Sequence, residues 1–498
     1  MEKYLLIIAS VVLFSCNTDM PVDGYNGTEG IVNGSFEETE MEPGNSDIAY
    51  GWRGNTGYVS TDAYYSPPDG ESYLVQEGNG DWISQSSGIK IEAGTSYTMK
   101  LWGRSVNQPG NDANATLMAG MTAGDEGIIH TSENVNAAFL KGDAATVQND
   151  DGANIWVDGD FRHAFADRHL YQPVDHDPIK DPWMVLSNSD YDRIGNDLGW
   201  AVGQVIAGEH KYIYGTIYRD IVDDFYSSIT MTKVTEENPP NYTWSEPVVM
   251  LDHAGSEFPW VLDAHCYYDD LTGRLWMSWG GGICYVTEID PMTGMILQQP
   301  ASTEFDTHSA SMHHPVSTWP ETRQGWDGDQ WSSSWHEGPS LFKRKGYWYH
   351  FASYGNLGLN YTIRMGRGEH PTGPFFDKQG VGLMEFDEQR NAFGNTILLG
   401  DEGSQRVPGH PHIWEEKGRY FMGYDYREDP QEEPDKMGIR ELFWLNGWPT
   451  VWRPVEITLN ADDYPELVGK ELAVRFRNTG EEGSLLAVDH VTLTVNTD

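Results

Sequence analysis

The sequence predicts an all-β protein, a five-bladed β-propeller combined with a β-sandwich, and three observations predict it. From Ile31 onward, short apolar alternations are broken by Gly, Pro, Asn and Asp, while helical periodicity is close to absent. Five segments place a turn-forming Gly or polar pair directly before an aromatic-rich strand: Gly159-Asp160-Phe161, Lys211-Tyr212-Ile213-Tyr214, Gly273-Arg274-Leu275-Trp276, Gly346-Tyr347-Trp348-Tyr349 and Gly418-Arg419-Tyr420-Phe421. They recur roughly every 50 to 75 residues, the length of one four-stranded blade with its loops. Spacing alone leaves a set of unrelated hairpins as the alternative. Thirdly, the 46 residues 453–498 form strand-like runs but are too few to build a core of their own. They are expected to complete a sandwich begun at residues 30–140, with the propeller, residues 145–452, inserted into one of its loops.

The totals set limits on partners. Acidic residues number 76 against 32 basic ones, a formal net charge of −44, so a polyphosphate or an anionic membrane is repelled and nucleic acid is not the expected partner. Lys3 followed by the apolar run Leu5 to Phe14 reads as an export signal over residues 1–16, too short to span a bilayer. Leu13-Phe14-Ser15-Cys16 resembles a bacterial lipobox, which implies lipidation at Cys16 and an exported protein held at the outer membrane or cell surface by its lipid alone. Residues 17–29, small, polar and Gly-rich, suit a flexible tether. Cys266 and Cys284 either pair or remain buried small hydrophobes; the sequence leaves both open.

The flanks resemble jelly-roll carbohydrate-binding modules. Ile31-Val32-Asn33-Gly34-Ser35-Phe36-Glu37, Trp82-Ile83-Ser84-Gln85 and Ala93-Gly94-Thr95-Ser96-Tyr97-Thr98 look like the opening strands of such a module, and residues 469–476 and 484–493 like its closing pair.

Glycosidic hydrolysis needs one protonated and one ionised carboxyl group, so acids at strand starts within the repeat are the candidates. Asp150 in Asn149-Asp150-Asp151-Gly152, Asp263 in Trp260-Val261-Leu262-Asp263-Ala264-His265, and Glu337 in Trp335-His336-Glu337-Gly338-Pro339 each precede a repeat strand by a short interval. In a propeller that interval puts all three on inner strands facing the axis. These segments resemble glycoside hydrolase family 43. The resemblance implies Glu337, in a Glu-Gly-Pro motif, as the general acid, Asp263 as the residue that orients and tunes it, and Asp150 as the general base, with Asp151 fitting if one residue is deleted. Ala264 stands where the family usually has Pro, and Val202-Gly203 stand where it has Pro-Asp after Trp200-Ala201. Pro408-Gly409-His410 is similar to the motif whose imidazole reaches a central calcium, often through water, which implies His410 as a metal neighbour. His336, Trp200 and Arg440 are the implied sugar contacts, and Gly447-Trp448-Pro449 looks like the end of the catalytic domain in arabinan-acting members.

The expected activity is therefore inverting hydrolysis that removes α-L-arabinofuranosyl or β-D-xylosyl units from plant or algal polysaccharide, with no organic cofactor. The alternatives are a hydrolase of galactan or agar-type sugars and a surface lipoprotein that binds glycan without cleaving it.

Overall fold

Strands that alternate apolar and polar residues are stable only when their apolar face is covered and their edges are paired, and here the two ends of the chain do this for each other. The computed structural model describes residues 31, 34–37, 51–54, 57–123, 126–134, 200–221, 224–238, 241–252, 258, 260–297, 312–319, 335–388, 392–416, 418–429 and 436–497. Asp150, Asp151 and Cys16 lie outside them, as does the stretch 145–199 in which the first blade is expected.

Two antiparallel sheets form the sandwich. The first runs in the order Tyr58–Ser60, Tyr73–Glu77, Leu485–Thr497, Thr95–Ser105, Arg453–Asn460, and the second Ile83–Lys90, Glu471–Asn478, Thr116–Ala123, Glu126–Asn134. A strand from the C-terminal stretch is thus hydrogen-bonded between N-terminal strands in each sheet, and the propeller leaves and re-enters the sandwich between Asn134 and Arg453. Period-two alternation sets the register: Leu472, Val474 and Phe476 point into the core, while Ala473, Arg475 and Arg477 point out. Phe476 meets Trp52 at 5.3 Å and Trp52 meets Phe36 at 5.5 Å between ring centres. Burying each such ring stabilises the sandwich by about 1.5–3 kcal/mol.

The propeller contributes four described blades, which correspond to blades two to five of the repeat. Blade two comprises Trp200–Ala207, His210–Ile221 and Asp224–Asn238, the last pairing with both Asn241–Trp244 and Val248–Asp252. Blade three comprises His265–Asp269, Arg274–Trp279, Ile283–Ile289 and His314–Thr318; blade four Trp335–Arg344, Tyr347–Gly355, Thr362–Gly368 and Thr396–Leu399; blade five Arg406–Glu416, Arg419–Arg427, Lys436–Leu445 and Trp448–Thr450. The repeated Gly-aromatic signature marks the turn into the second strand: Gly208, Gly273, Gly346 and Gly418 all have positive φ, a conformation that glycine enters without a Cβ penalty. The first strands of successive blades lie against one another around the axis, and His265 of blade three meets His412 of blade five there at 2.7 Å. Cys266 and Cys284 are both buried free thiols.

Sandwich and propeller share a buried polar junction. Glu402 Oε2 accepts from Arg440 at 2.9 Å and from Arg104, on the sandwich strand Thr95–Ser105, at 3.2 Å. Arg440 also donates to Tyr424 Oη and to Gln405 Oε1, each at 3.0 Å, and Arg104 to the Tyr65 carbonyl at 3.2 Å. Tyr73, Trp102 and Trp452 pack around this junction. Removing one member of a buried charged cluster leaves its partners uncompensated. Glu402→Ala is therefore expected to lower the unfolding free energy by about 3–5 kcal/mol, with Glu402→Gln less severe, as urea denaturation will measure.

Candidate active site

Asp263 lies just before the first strand of blade three, with φ of 57°, outside the comfortable range of a residue that carries a Cβ. Its amide donates to Thr216 Oγ1 of blade two at 2.9 Å, which helps hold that backbone in place. The side chain, 5% exposed, turns toward the axis, where Oδ2 accepts from Gly338 N–H at 3.1 Å and from His410 Nε2 at 2.9 Å. One carboxylate oxygen thus joins blades three, four and five.

Gly338 explains the Glu-Gly-Pro motif. The pairing of Trp335–Arg344 with Tyr347–Gly355 shifts register between Glu337 and Ser340, so the strand bulges directly after the acid. Gly338 takes φ of 59° and turns its N–H to Asp263. A Cβ there would lie 2.8 Å from His410 Cδ2 and 3.1 Å from Ser353 Oγ, a clash that rigid neighbours cannot relieve. Glu337, partly exposed, accepts from Tyr361 Oη–H at Oε1, 2.7 Å away. Tyr361 is fully buried, and burial followed by the Glu337 charge raises its phenol well above the ordinary value, so it stays a donor.

His410 donates its backbone N–H to Ser353 Oγ at 2.8 Å, and its ring lies between Asp263 and Asp425, with Nδ1 3.6 Å from Asp425 Oδ2. Burial disfavours the imidazolium, but the Asp263 and Asp425 carboxylates outweigh it and raise the ring to about 10. His410 Nε2 is committed to Asp263 and is not free to act as a direct metal ligand.

Two of the implied sugar contacts are corrected. His336 is fully buried, because neighbours in a strand face opposite ways and Glu337 takes the open side. Its Nδ1–H donates to the Ser353 carbonyl at 3.2 Å, so its Nε2 accepts from Ser317 Oγ–H at 2.7 Å, and Ser317 Oγ in turn accepts from His350 Nε2–H at 2.7 Å. Arg440 is 3% exposed, on the third strand of its blade, with its donors spent in the junction to the sandwich rather than on a ligand. Trp200 opens the first strand of blade two and pairs with Thr216, the residue that receives the Asp263 amide. Asp263, Glu337 and His410 are brought together; Asp150 lies outside the described residues.

Cys284, His336 and His350 offer ligand atoms within 4.8 Å of one another. The Ser317 hydroxyl, 2.7 Å from both Nε2 atoms, sits between the two rings, and burial pushes the Cys284 thiol well up, away from the thiolate a metal needs. The cluster is a hydrogen-bonded core. Tyr361, Ser353, Thr216 and Asp425 carry no motif that would have singled them out in the sequence. Only the alternation in Tyr424-Asp425-Tyr426 hints at an acid facing opposite to its neighbours.

A sequence model described as "Glycosyl hydrolases family 43" matches residues 181–449. The chain is 27% identical over 260 residues, 49% of its length and 67% of the relative's, to an extracellular exo-α-(1→5)-L-arabinofuranosidase of Cellvibrio japonicus. It is 26% identical to an extracellular endo-α-(1→5)-L-arabinanase of Thermotoga petrophila, spanning 38% of this chain and 40% of that one. Similar solved structures include a Cellvibrio cellulosa α-L-arabinanase complexed with arabinohexaose, with 21% identity, 51% and 76% of the two chains covered, and a TM-score of 0.39.

Burial, and for His350 also the neighbouring His336, lowers both imidazoles to about 3. An unfolded histidine titrates near 6.5, so between these values the folded state binds fewer protons. The stabilisation from keeping each ring neutral is complete above pH 6.5 and is lost as the pH falls toward 3. At pH 5 the loss is about 2 kcal/mol per histidine. Urea midpoints at pH 7.5 and 5.0 are expected to separate more in the native protein than in a His350→Phe variant.

Proposed function

Because the chain belongs to glycosyl hydrolases family 43, whose sequence model matches residues 181–449, we propose that it is an inverting glycoside hydrolase that removes α-L-arabinofuranosyl units from arabinan-type polysaccharide. The observation that carries this reading is the Asp263 carboxylate bound to Gly338 N–H, the amide next to Glu337. Such a bond positions a proton donor without touching the donor's own oxygens. Tyr361 donates to Glu337 Oε1, and the proposal assigns to Oε2 the proton that passes to the leaving glycosidic oxygen. Asp150 is the proposed base on the opposite side of the sugar. Inversion requires its carboxyl about 6.5–9.5 Å from that of Glu337, with the attacking water between them.

Arabinan is favoured over xyloside because the relatives above are named for α-(1→5)-L-arabinan linkages. β-Xylosyl release remains the second substrate to assay. Those relatives are named extracellular, which supports export; lipidation at Cys16 is part of the same proposal. For calcium, the donors present at the axis are two carboxylates, Asp263 and Asp425, flanking His410, oxygen-rich chemistry that suits a hard cation. When bound, such an ion supplies positive charge at the converging strands.

Two measurements test the reading. Glu337→Gln is expected to lower kcat on arabinan by about 10²–10⁴-fold, and by far less on an aryl arabinofuranoside whose leaving group needs no proton, with the β-anomer as first product by NMR. Equal activity of wild type and variant on arabinan would overturn it. Dialysis against EDTA is expected to lower Tm, with recovery on adding Ca²⁺ but not Mg²⁺.

A further inference from the structure

One sheet of the sandwich uses its outer face to hold the propeller; the other has an outer face with a different composition. Cross-strand register places Arg53, Ser84, Arg475, Gly120 and His130 in one row across that second sheet. Arg477 points to the same side two residues beyond Arg475, and Trp82, immediately before the inward-facing Ile83, lies over both guanidinium groups, 4.0 Å from Arg475 and 4.7 Å from Arg477 to its ring centre.

The charge arrangement differs from that at several other arginines. Arg104, Arg274, Arg406, Arg419 and Arg440 each pair with a carboxylate. Among the described residues Arg475 and Arg477 have no ion pair or hydrogen-bond partner, and the Nε of each is buried without one. Two guanidinium groups side by side repel, and burial followed by the Arg477 charge lowers the Arg475 pKa. In a protein with 76 acidic residues, two adjacent guanidinium groups with no carboxylate partner among the described residues offer donors that an external anion can take.

We propose that Trp82, Arg475 and Arg477 form a glycan-binding face that recognises a uronic acid residue, with the sugar stacked on the indole and its carboxylate held by the guanidinium forks. A flat, weakly polar ring face suits Trp82, and a carboxylate matches the bidentate geometry of arginine. The net charge of −44 repels dense polyanions over distance, so the fitting polymer is a largely neutral polysaccharide with scattered carboxylates. The catalytic propeller then works on a chain that the sandwich holds by its acidic residues.

Calorimetry with trigalacturonate, its carboxyl-reduced counterpart and dextran sulfate tests this on the full-length protein. The expected result is binding of trigalacturonate that weakens with salt, at least about tenfold weaker binding by Trp82→Ala and by the Arg475→Gln/Arg477→Gln double variant, and partial retention in Arg475→Lys/Arg477→Lys. Glu337→Gln should bind like wild type, and Trp82→Ala should keep the wild-type far-ultraviolet circular dichroism spectrum, which certifies its fold and keeps this test separate from that of the hydrolase. Three results overturn the proposal: no binding by wild type, equal binding of the carboxyl-reduced sugar, or dextran sulfate bound as tightly as trigalacturonate by the same residues.

Discussion

The site depends on a single oxygen. Asp263 Oδ2 accepts from the backbone of blade four and from the imidazole of blade five, while the Asp263 amide is tied to blade two. A propeller has no covalent closure among its inner strands, so groups that must meet at its axis need bonds that cross from blade to blade. The carboxylate provides two of these within a largely water-excluded space, where charge-assisted hydrogen bonds are shorter and roughly twice as strong as neutral ones. The cost is a residue other than glycine held at positive φ. Backbone strain of this kind persists only where surrounding bonds over-determine it.

The same economy accounts for the glycine after the acid. A strand in regular register would aim the amide of residue 338 along the sheet ladder, out of reach of blade three. The bulge turns it inward, and only a residue without Cβ fits between His410 and Ser353. Ser353 then binds on both sides: its Oγ receives the His410 amide, and its carbonyl receives the His336 ring. Glu337, Asp263 and His410 are held by backbone groups as much as by side chains. That is why a short motif can specify the arrangement.

Legibility followed the same division. The αL glycines of the hairpin turns and the aromatic strands after them wrote the blades into the sequence, and the incomplete ends of the chain announced a shared sandwich, because a strand without a partner implies one elsewhere. The convergence of Asp263, Glu337 and His410 was legible because each sits in a motif that backbone geometry constrains. His336 and Arg440 were misread for opposite reasons. The first adjoins the acid in sequence, yet strand alternation turns it to the far side; the second is two strands from the axis, where its charge is consumed by Glu402. Tyr361 left no local signal at all, because its role arises from a contact across the blade.

The junction around Glu402 adds a consequence for the relation between the two domains. An inserted domain on two exposed linkers would be free to swing, since interfaces within a chain commonly permit relative motion. Here the linking strand Arg453–Asn460 is hydrogen-bonded along its length to Thr95–Ser105, and that same sandwich strand supplies Arg104 to the carboxylate that also neutralises Arg440. Separating the domains would expose Trp102 and Trp452 and leave Arg104 without the Glu402 carboxylate, which stays with Arg440. The sandwich is therefore a fixed extension of blade five, and any ligand on its outer sheet is held at a set position relative to the axial acids. For a polysaccharide this fixes the stretch of chain that can enter the site, a geometric selection that a flexibly tethered module could not impose.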